Sequence, residues 1–253
     1  MNTVDAFCDK LMHAPKGISK VLHNPPSIKV IKSLEANAKI LDVGCSGFRQ
    51  RHISILNGRA DIQHFGIDHP NSAIGNIPDG FTFQSCDIEK ETFPFENDFF
   101  DMVVACHVIE HVRDPLKLFS ECIRVCKPNG WISLEAPSEK SLWLPGFPFC
   151  REGFFLLSFF DDPTHFGRPW SSQSLYRLAK SFGLVEIHSS NDFNILALIF
   201  SPILLPLFFI LKFGRLFQYT AWKACGWNAR LITKKPNYVS NENEFKYILP
   251  KTF

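Results

Sequence analysis

The stretch Lys39 to Gly47 reads Lys-Ile-Leu-Asp-Val-Gly-Cys-Ser-Gly. It is a short apolar strand, Lys39–Val43, that ends on an acid and opens at once into a turn of small residues. A strand that stops at Asp-x-Gly-x-small bends its backbone sharply and lets a ligand approach closely. Gln63-His64-Phe65-Gly66-Ile67-Asp68 repeats the device further on, again as a strand that ends on an acid. That second acid stands where a nucleotide-binding α/β fold places a carboxylate to hold a ribose hydroxyl. Two such strand ends in this order imply a nucleoside-containing cofactor.

The rest of the chain keeps the rhythm of strand and helix. Arg49 to Asn57 has helical spacing and stops at Asn57-Gly58. Further strands are expected at Ile62–Ile67, Phe81–Cys86 and Phe100–Cys106, the last an apolar run of the kind a central parallel strand needs. Asp114-Pro115 is an N-cap followed by proline at the first helical position, and it opens a helix to about Cys126. Lys127-Pro128-Asn129-Gly130 reads as a turn into strand five, Trp131–Ala136. An amphipathic helix, Ser171–Phe182, precedes strand six, Leu184–His188. Strands alternating with helices predict a doubly wound α/β fold, with a mainly parallel sheet covered on both faces. Residues 1–38 form a helical lead-in and 39–253 the main domain. A net charge of +2 excludes the global basic field of a nucleic-acid binder. The eight cysteines show no C-x-x-C pairing, and several sit in apolar runs, as expected of reduced, buried thiols in a cytosolic protein. Met1 to Lys20 has no continuous apolar core, so no secretory signal is expected.

Six ordered motifs now resemble those of the class I S-adenosylmethionine-dependent methyltransferases, of the ubiquinone/menaquinone-methyltransferase-like group. They are Ile-Leu-Asp-Val-Gly-Cys, Phe-Gly-Ile-Asp68, Cys86-Asp87-Ile88-Glu89 with Phe93-Pro94-Phe95, Phe99-Phe100-Asp101-Met-Val-Val, His107-Val-Ile-Glu110-His111-Val, and Arg124-Val-Cys-Lys-Pro-Asn-Gly130-Trp. The resemblance spans roughly Lys39 to Leu184. It implies a seven-stranded Rossmann-like sheet whose seventh strand, antiparallel, lies between strands five and six, where Asn228–Pro236 fits. It implies S-adenosyl-L-methionine as cofactor. Asp42 and Gly44, with the backbone of Cys45 and Ser46, would cradle its methionine part. Asp68 would take the ribose hydroxyls, Asp87 the adenine amino group, and Ile88 would pack near the ring, with His107 beside the sulfonium. Relatives often carry Gly where this chain has Ser46 and Phe48, which predicts a reshaped tail pocket. A dinucleotide-binding dehydrogenase is the nearest competitor. It needs G-x-G-x-x-G, which the spacing of Gly44 and Gly47 fails, and a pyrophosphate would be repelled by Asp42. Structural readings stay open beside these roles: Asp42 as a cap for the next helix, Asp68 as a loop acid, His165 as a loop histidine bonded to backbone.

The sulfonium methyl is already activated, so alignment of a nucleophile supplies much of the rate. An oxygen nucleophile also gains from a base, and His107, His111 and His165 are the candidates, with Glu110 as orienting or basic partner. The stretch His107-x-x-Glu110-His111 with a distant His165 also resembles the divalent-ion site of ubiquinone-pathway and small-RNA methyltransferases. The metal-free reading is adopted; the alternative would use His107, Glu110, His111 and His165, and an imidazole-rich set favours softer transition metals.

Of the 26 Phe residues, eleven fall in two apolar insertions, 143–160 after strand five and 193–213 after strand six. Phe193–Phe213 is long enough to span a bilayer and has no polar face. A single crossing would part strand seven from its sheet, so the segment must dip and return, lie at the interface, or pack on the protein. Pro202 and Pro206 predict a break where a re-entrant hairpin would turn. Lys212, Arg215, Tyr219 and Trp222 suit a headgroup region. Both insertions leave at the carboxyl edge of the sheet, over the cofactor. The expectation is therefore a cytoplasmic, peripheral or monotopic membrane enzyme that methylates a hydroxyl of a lipid, lipid-linked or glycan acceptor. A catalytically silent membrane- or partner-binding module and a soluble small-molecule methyltransferase stand as alternatives.

Overall fold

In the computed structural model, residues 26–144 and 158–237 are described, apart from the side chains of Pro26 and Arg215. Expectations placed on 1–25, 145–157 and 238–253, which include most of the first apolar insertion, lie outside the described residues. The apolar run Lys39–Val43 forms β1 near the middle of a seven-stranded sheet. The other strands are β2 (Gln63–Asp68), β3 (Phe81–Ser85), β4 (Phe100–Cys106), β5 (Cys126–Pro137), β6 (Val185–Asn191) and β7 (Asn228–Lys234). Their order is β3-β2-β1-β4-β5-β7-β6. β7 alone runs antiparallel, pairing Trp131–Pro137 of β5 on one side and β6 on the other. The strand order reverses between β1 and β4, and a doubly wound sheet opens its ligand crevice at the carboxyl ends of such a pair.

Alternation along the strands divides the core into two layers. Leu41, Val43, Val103, Ala105 and Leu134 face one way, onto α3 (Pro115–Val125) and α4 (Ser172–Ser181). Ile40, Met102, Val104 and Ile232 face the other, onto α1 (Pro26–Ser33) and α2 (Arg49–Leu56). The helix ends follow the local signals. Asp114 accepts from the N–H groups of Leu116 and Lys117 with Pro115 at the first helical position, and Ser171 accepts from Ser174 N–H.

Three departures have physical causes. The turn Lys127–Gly130 is absorbed into β5 as a bulge, because Phe100 pairs with Cys126 while Met102 pairs with Trp131. The buried ammonium of Lys235 holds it, donating to the carbonyls of Ile123 and Cys126 and to Asp98 at 2.9, 2.8 and 2.6 Å. β6 extends to Asn191, beyond the expected His188, because its Ser189 and Asn191 find partners on β7. The second apolar insertion does not break at its prolines. Helix α5 runs through Pro202 and Pro206 from Ile195 to Ile210, and α6 (Gly214–Cys225) returns against it. Ser201 Oγ donates to Leu198 O at 2.8 Å, replacing the bond that Pro202 cannot give. α5 has no buried residue, and Ile203 is 69% exposed. Its 16 residues reach about 24 Å, less than a bilayer's hydrocarbon core of about 30 Å. Among the described residues no helix is long and apolar enough to cross a membrane.

Because Asp114 alone caps two N–H groups of α3, Asp114→Ala should lower the stability of the chain by about 1 kcal/mol. Urea unfolding checks this, and an unchanged midpoint would show that the cap carries no weight.

Candidate functional site

At the carboxyl ends of β1, β2 and β4 lies a cavity of about 650 Å³, walled in part by Gly44, Ser46, Asp68, Asp87, Ile88 and His107. Its size is ordinary for a small-molecule pocket. Gly44 stands at φ +72, and a Cβ there would lie 2.6 Å from Val108 Cγ2. The turn therefore needs glycine both for its left-handed backbone and for the close approach of Val108. Asp68, at the end of β2, folds the turn onto itself: its carboxylate accepts from Ser46 N–H at 3.0 Å, from His69 N–H at 2.8 Å and from the Ser72 hydroxyl. Asp87 accepts from Lys90 Nζ at 2.8 Å and from Glu89 N–H at 3.2 Å. The Lys90 bond is the main cause that holds the Asp87 carboxyl below its usual range.

Asp42 and Cys45 lie beneath the cavity rather than in its wall. Asp42 is 3% exposed, and its Oδ2 stands 3.4 Å from Gln50 N in the first turn of α2. Burial pushes its carboxyl up to about 7, Gln50 N–H and Arg49 offsetting only part of this. Asp42, Cys106, Glu135 and Arg230 form a largely buried polar stripe across β1, β4, β5 and β7, of which Asp42 alone is fully enclosed. Arg49 Nη1 approaches Cys106 Sγ at 2.6 Å, and Arg230 donates twice to Glu135 Oε1, at 3.0 and 2.9 Å. Burial raises the Glu135 carboxyl, but Arg230 and Arg49 outweigh it and hold it well below the usual range. Burial likewise pushes the Cys45 thiol up to about 12 and Cys86 to about 11. Phe48 caps α2 at φ 52, its ring edge-on to Phe81 at 4.8 Å, and does not line the cavity.

The histidines divide into two groups. His107, at φ 57 just past β4, sets Nδ1 3.0 Å from Oε1 of the fully buried Glu110. His111 also lines the cavity, and its ring centroid is 4.8 Å from that of His165. His165 is itself nearly buried, its Nδ1 2.7 Å from the Phe159 carbonyl, as in the loop-histidine reading. Glu110, His111 and His165 each bring one donor atom to within 4.8 Å of the others. His107 is outside that set. Glu110 Oε2 is buried with no hydrogen-bond partner among the described residues. Sequence reasoning missed His69, Ser72, Lys90 and Thr164 in the cavity wall. Three of them follow Asp68 or Asp87 closely, which was the available signal. Trp222 also departs from expectation: it faces His107 and Trp227 rather than a headgroup layer.

Residues 41–134 match the methyltransferase domain family. The ubiquinone biosynthesis O-methyltransferase of Paraburkholderia phymatum is 33% identical over 128 residues, covering 47% of this chain and 54% of that protein. Its namesake from Methylococcus capsulatus is 31% identical over 134 residues, covering 47% of this chain and 53% of that protein. The chain spans about half the length of the curated relatives it matches. Among solved structures, a SAM-dependent methyltransferase from Archaeoglobus fulgidus superposes with a TM-score of 0.55 at 19% identity, over 82% of this chain and 90% of that one. Phosphoethanolamine N-methyltransferase 2 of Haemonchus contortus, in complex with S-adenosyl-L-methionine, gives 0.53 at 19% identity, over 83% and 51%.

Two outcomes follow from the turn. Gly44→Ala should weaken S-adenosylmethionine binding at least about tenfold in calorimetry, since strain and the Val108 clash both close the turn. For Asp42, a carboxyl that ordinarily titrates at 3.8 does so here at about 7. The folded state is penalised progressively as pH rises from about 4 to about 7, and fully above that. Asp42→Asn should therefore gain in urea midpoint on the wild type between pH 5 and pH 8; a constant difference would refute the assignment.

Proposed function

We propose that this chain, which carries a class I S-adenosylmethionine-dependent methyltransferase domain, transfers the methyl group to a hydroxyl of a lipidic or lipid-linked acceptor at a membrane surface. The observation that carries the acceptor class is α5. It is a helix apolar apart from Ser201, with no buried side chain, set between β6 and β7 on the same edge of the sheet as the cavity. Phe193, Ile199, Ile203 and Ile210 expose a continuous apolar surface, larger in kind than the scattered apolar residues of an ordinary surface. Such a helix suits burial in the plane of the headgroup and acyl boundary. Relatives named for ubiquinone biosynthesis support oxygen as the nucleophile and a lipid-like acceptor.

The cavity fits the cofactor: two carboxylates stand at the ends of β2 and β3, and a glycine turn at the end of β1 admits close approach. S-adenosylmethionine supplies an activated methyl when bound. Asp68 would hold the ribose hydroxyls, Asp87 the adenine amino group, and Ile88 would pack on the ring. Asp42 acts from below, fixing α2 and the turn. His107 takes the acceptor proton at Nε2, while Nδ1–H, held by Glu110 Oε1, fixes its tautomer and supports the charge. A charged acceptor oxygen then meets the methyl without the proton in the way.

A divalent ion is a second reading, favoured by the unpartnered Oε2 of Glu110. His165 Nδ1–H donates to the Phe159 carbonyl, and His111 Nδ1 stands 3.0 Å from Thr164 Oγ1, which itself donates to Asp162. These partners leave His111 Nε2 to face a metal, as in metal-binding histidines, while His165 Nε2 stands 3.9 Å from Asp162 Oδ2. Two imidazoles and a carboxylate fit zinc or a similar late first-row ion, which would lower the acceptor hydroxyl's pKa as a Lewis acid. Glu110→Gln would abolish bound metal in elemental analysis if this holds.

On anionic lipid vesicles the full chain should float, and the double change Ile199→Asp with Ile203→Asp should cut flotation at least about fivefold. Undiminished flotation would remove α5 from the reading. With labelled cofactor and a total membrane-lipid extract, label should enter the organic phase; label found only in water-soluble products would favour a soluble acceptor.

A further inference from the structure

Beyond the cavity, His107 faces two indoles that no motif assigns. The ring centroids of Trp227 and Trp222 lie 5.9 and 6.2 Å from that of His107. The two indoles stack on each other at 4.1 Å, with 7° between their planes. Their origins differ. Trp227 opens the β7 edge of the sheet, is 2% exposed, and is tied to the end of β5 by Ser138 N–H to its carbonyl at 2.6 Å. Trp222 belongs to α6, the inner helix of the apolar hairpin. Gly226, at φ 75, ends α6 in a left-handed turn in which the N–H groups of Gly226 and Trp227 both donate to Trp222 O at 2.9 Å. That turn folds one indole onto the other.

The imidazole needs such a wall. His107 is a non-glycine residue in the left-handed region, a strained conformation that persists only where the surroundings over-determine it. Its N–H is fixed by Glu135 O at 2.7 Å and its Nδ1 by Glu110. Those bonds set the backbone and one ring atom, whereas the swing of the ring is set by what it packs on. The next residue along α6 repeats the tie between hairpin and site. Lys223 is buried, is ion-paired with Asp192, and Asp192 meets Arg230 at 2.7 Å, one step from Glu135.

We infer that Trp222 is a positioning residue for His107, backed by Trp227, so that the apolar hairpin completes the active site rather than merely tethering it. The inference rests on His107 serving as the base in the reading above. Trp222 does not line the cofactor cavity, so its removal should act on the base and not on cofactor affinity.

The test uses the full chain as wild type, Trp222→Leu and Trp222→Phe. In calorimetry all three should bind S-adenosylmethionine within about twofold. In label transfer to a total membrane-lipid extract, Trp222→Leu should lose on the order of tenfold in kcat with KM within about twofold, and Trp222→Phe should recover at least about half of the loss. Long-range proton–nitrogen spectra of the histidines, taken without cofactor or acceptor, should show His107 protonated at Nδ1 in wild type and Trp222→Phe, and averaged between tautomers in Trp222→Leu. An identical His107 imidazole in all three, or a loss carried wholly by KM, overturns the inference. A wild-type chain that binds no cofactor defeats the functional reading instead, and the imidazole spectra still decide the role of Trp222.

Discussion

The parallel pairing of β1 with β4 is the contact on which everything else here depends. Ile40 to Val43 lie beside Met102 to Ala105, and the chain leaves this pair in opposite directions, outward to β2 and β3 on one side and to β5, β7 and β6 on the other. No crossover covers the carboxyl ends of the two strands at that seam. The glycine turn after β1 and the left-handed His107 after β4 therefore stand at one opening, and the turn and the imidazole are neighbours by topology before any side chain is chosen.

The same pairing explains why so many charges lie under the site. On the face toward α2, Asp42, Cys106, Glu135 and Arg230 occupy adjacent strands near their carboxyl ends. Burial of one carboxylate alone would be costly. Here Glu135 collects Arg230, Arg49 and the Asn228 amide, so its charge is kept, whereas Asp42 has weaker partners and leans toward its neutral form. One floor of the site is rigid and ionic, the other titratable near neutrality.

Much of this could be read from local signals. The acid-ended strands and the Asp114-Pro115 cap were legible because each is specified by residues a few positions apart, while the seventh strand was expected from the family resemblance. What escaped was set at a distance. The β5 bulge depends on Lys235, more than a hundred positions from Cys126 and Ile123. The run of α5 through Pro202 uses a serine hydroxyl turned back to Leu198. Trp222 reads as an interfacial aromatic until the register of β7 and the turn at Gly226 carry it to His107. The cavity wall was found where motifs mark it and missed at His69, Ser72, Lys90 and Thr164, which no motif singles out.

The bare apolar surface of α5 has a thermal consequence. Heat-capacity increments on unfolding come from apolar surface newly met by water. α5 already exposes one face to water in the isolated chain, so the melting of that face in solution adds little to that increment. Were the helix to enter a bilayer as proposed above, it would be dehydrated there, and the same melting would then expose apolar surface to water for the first time. The curvature of stability with temperature would then differ between water and lipid.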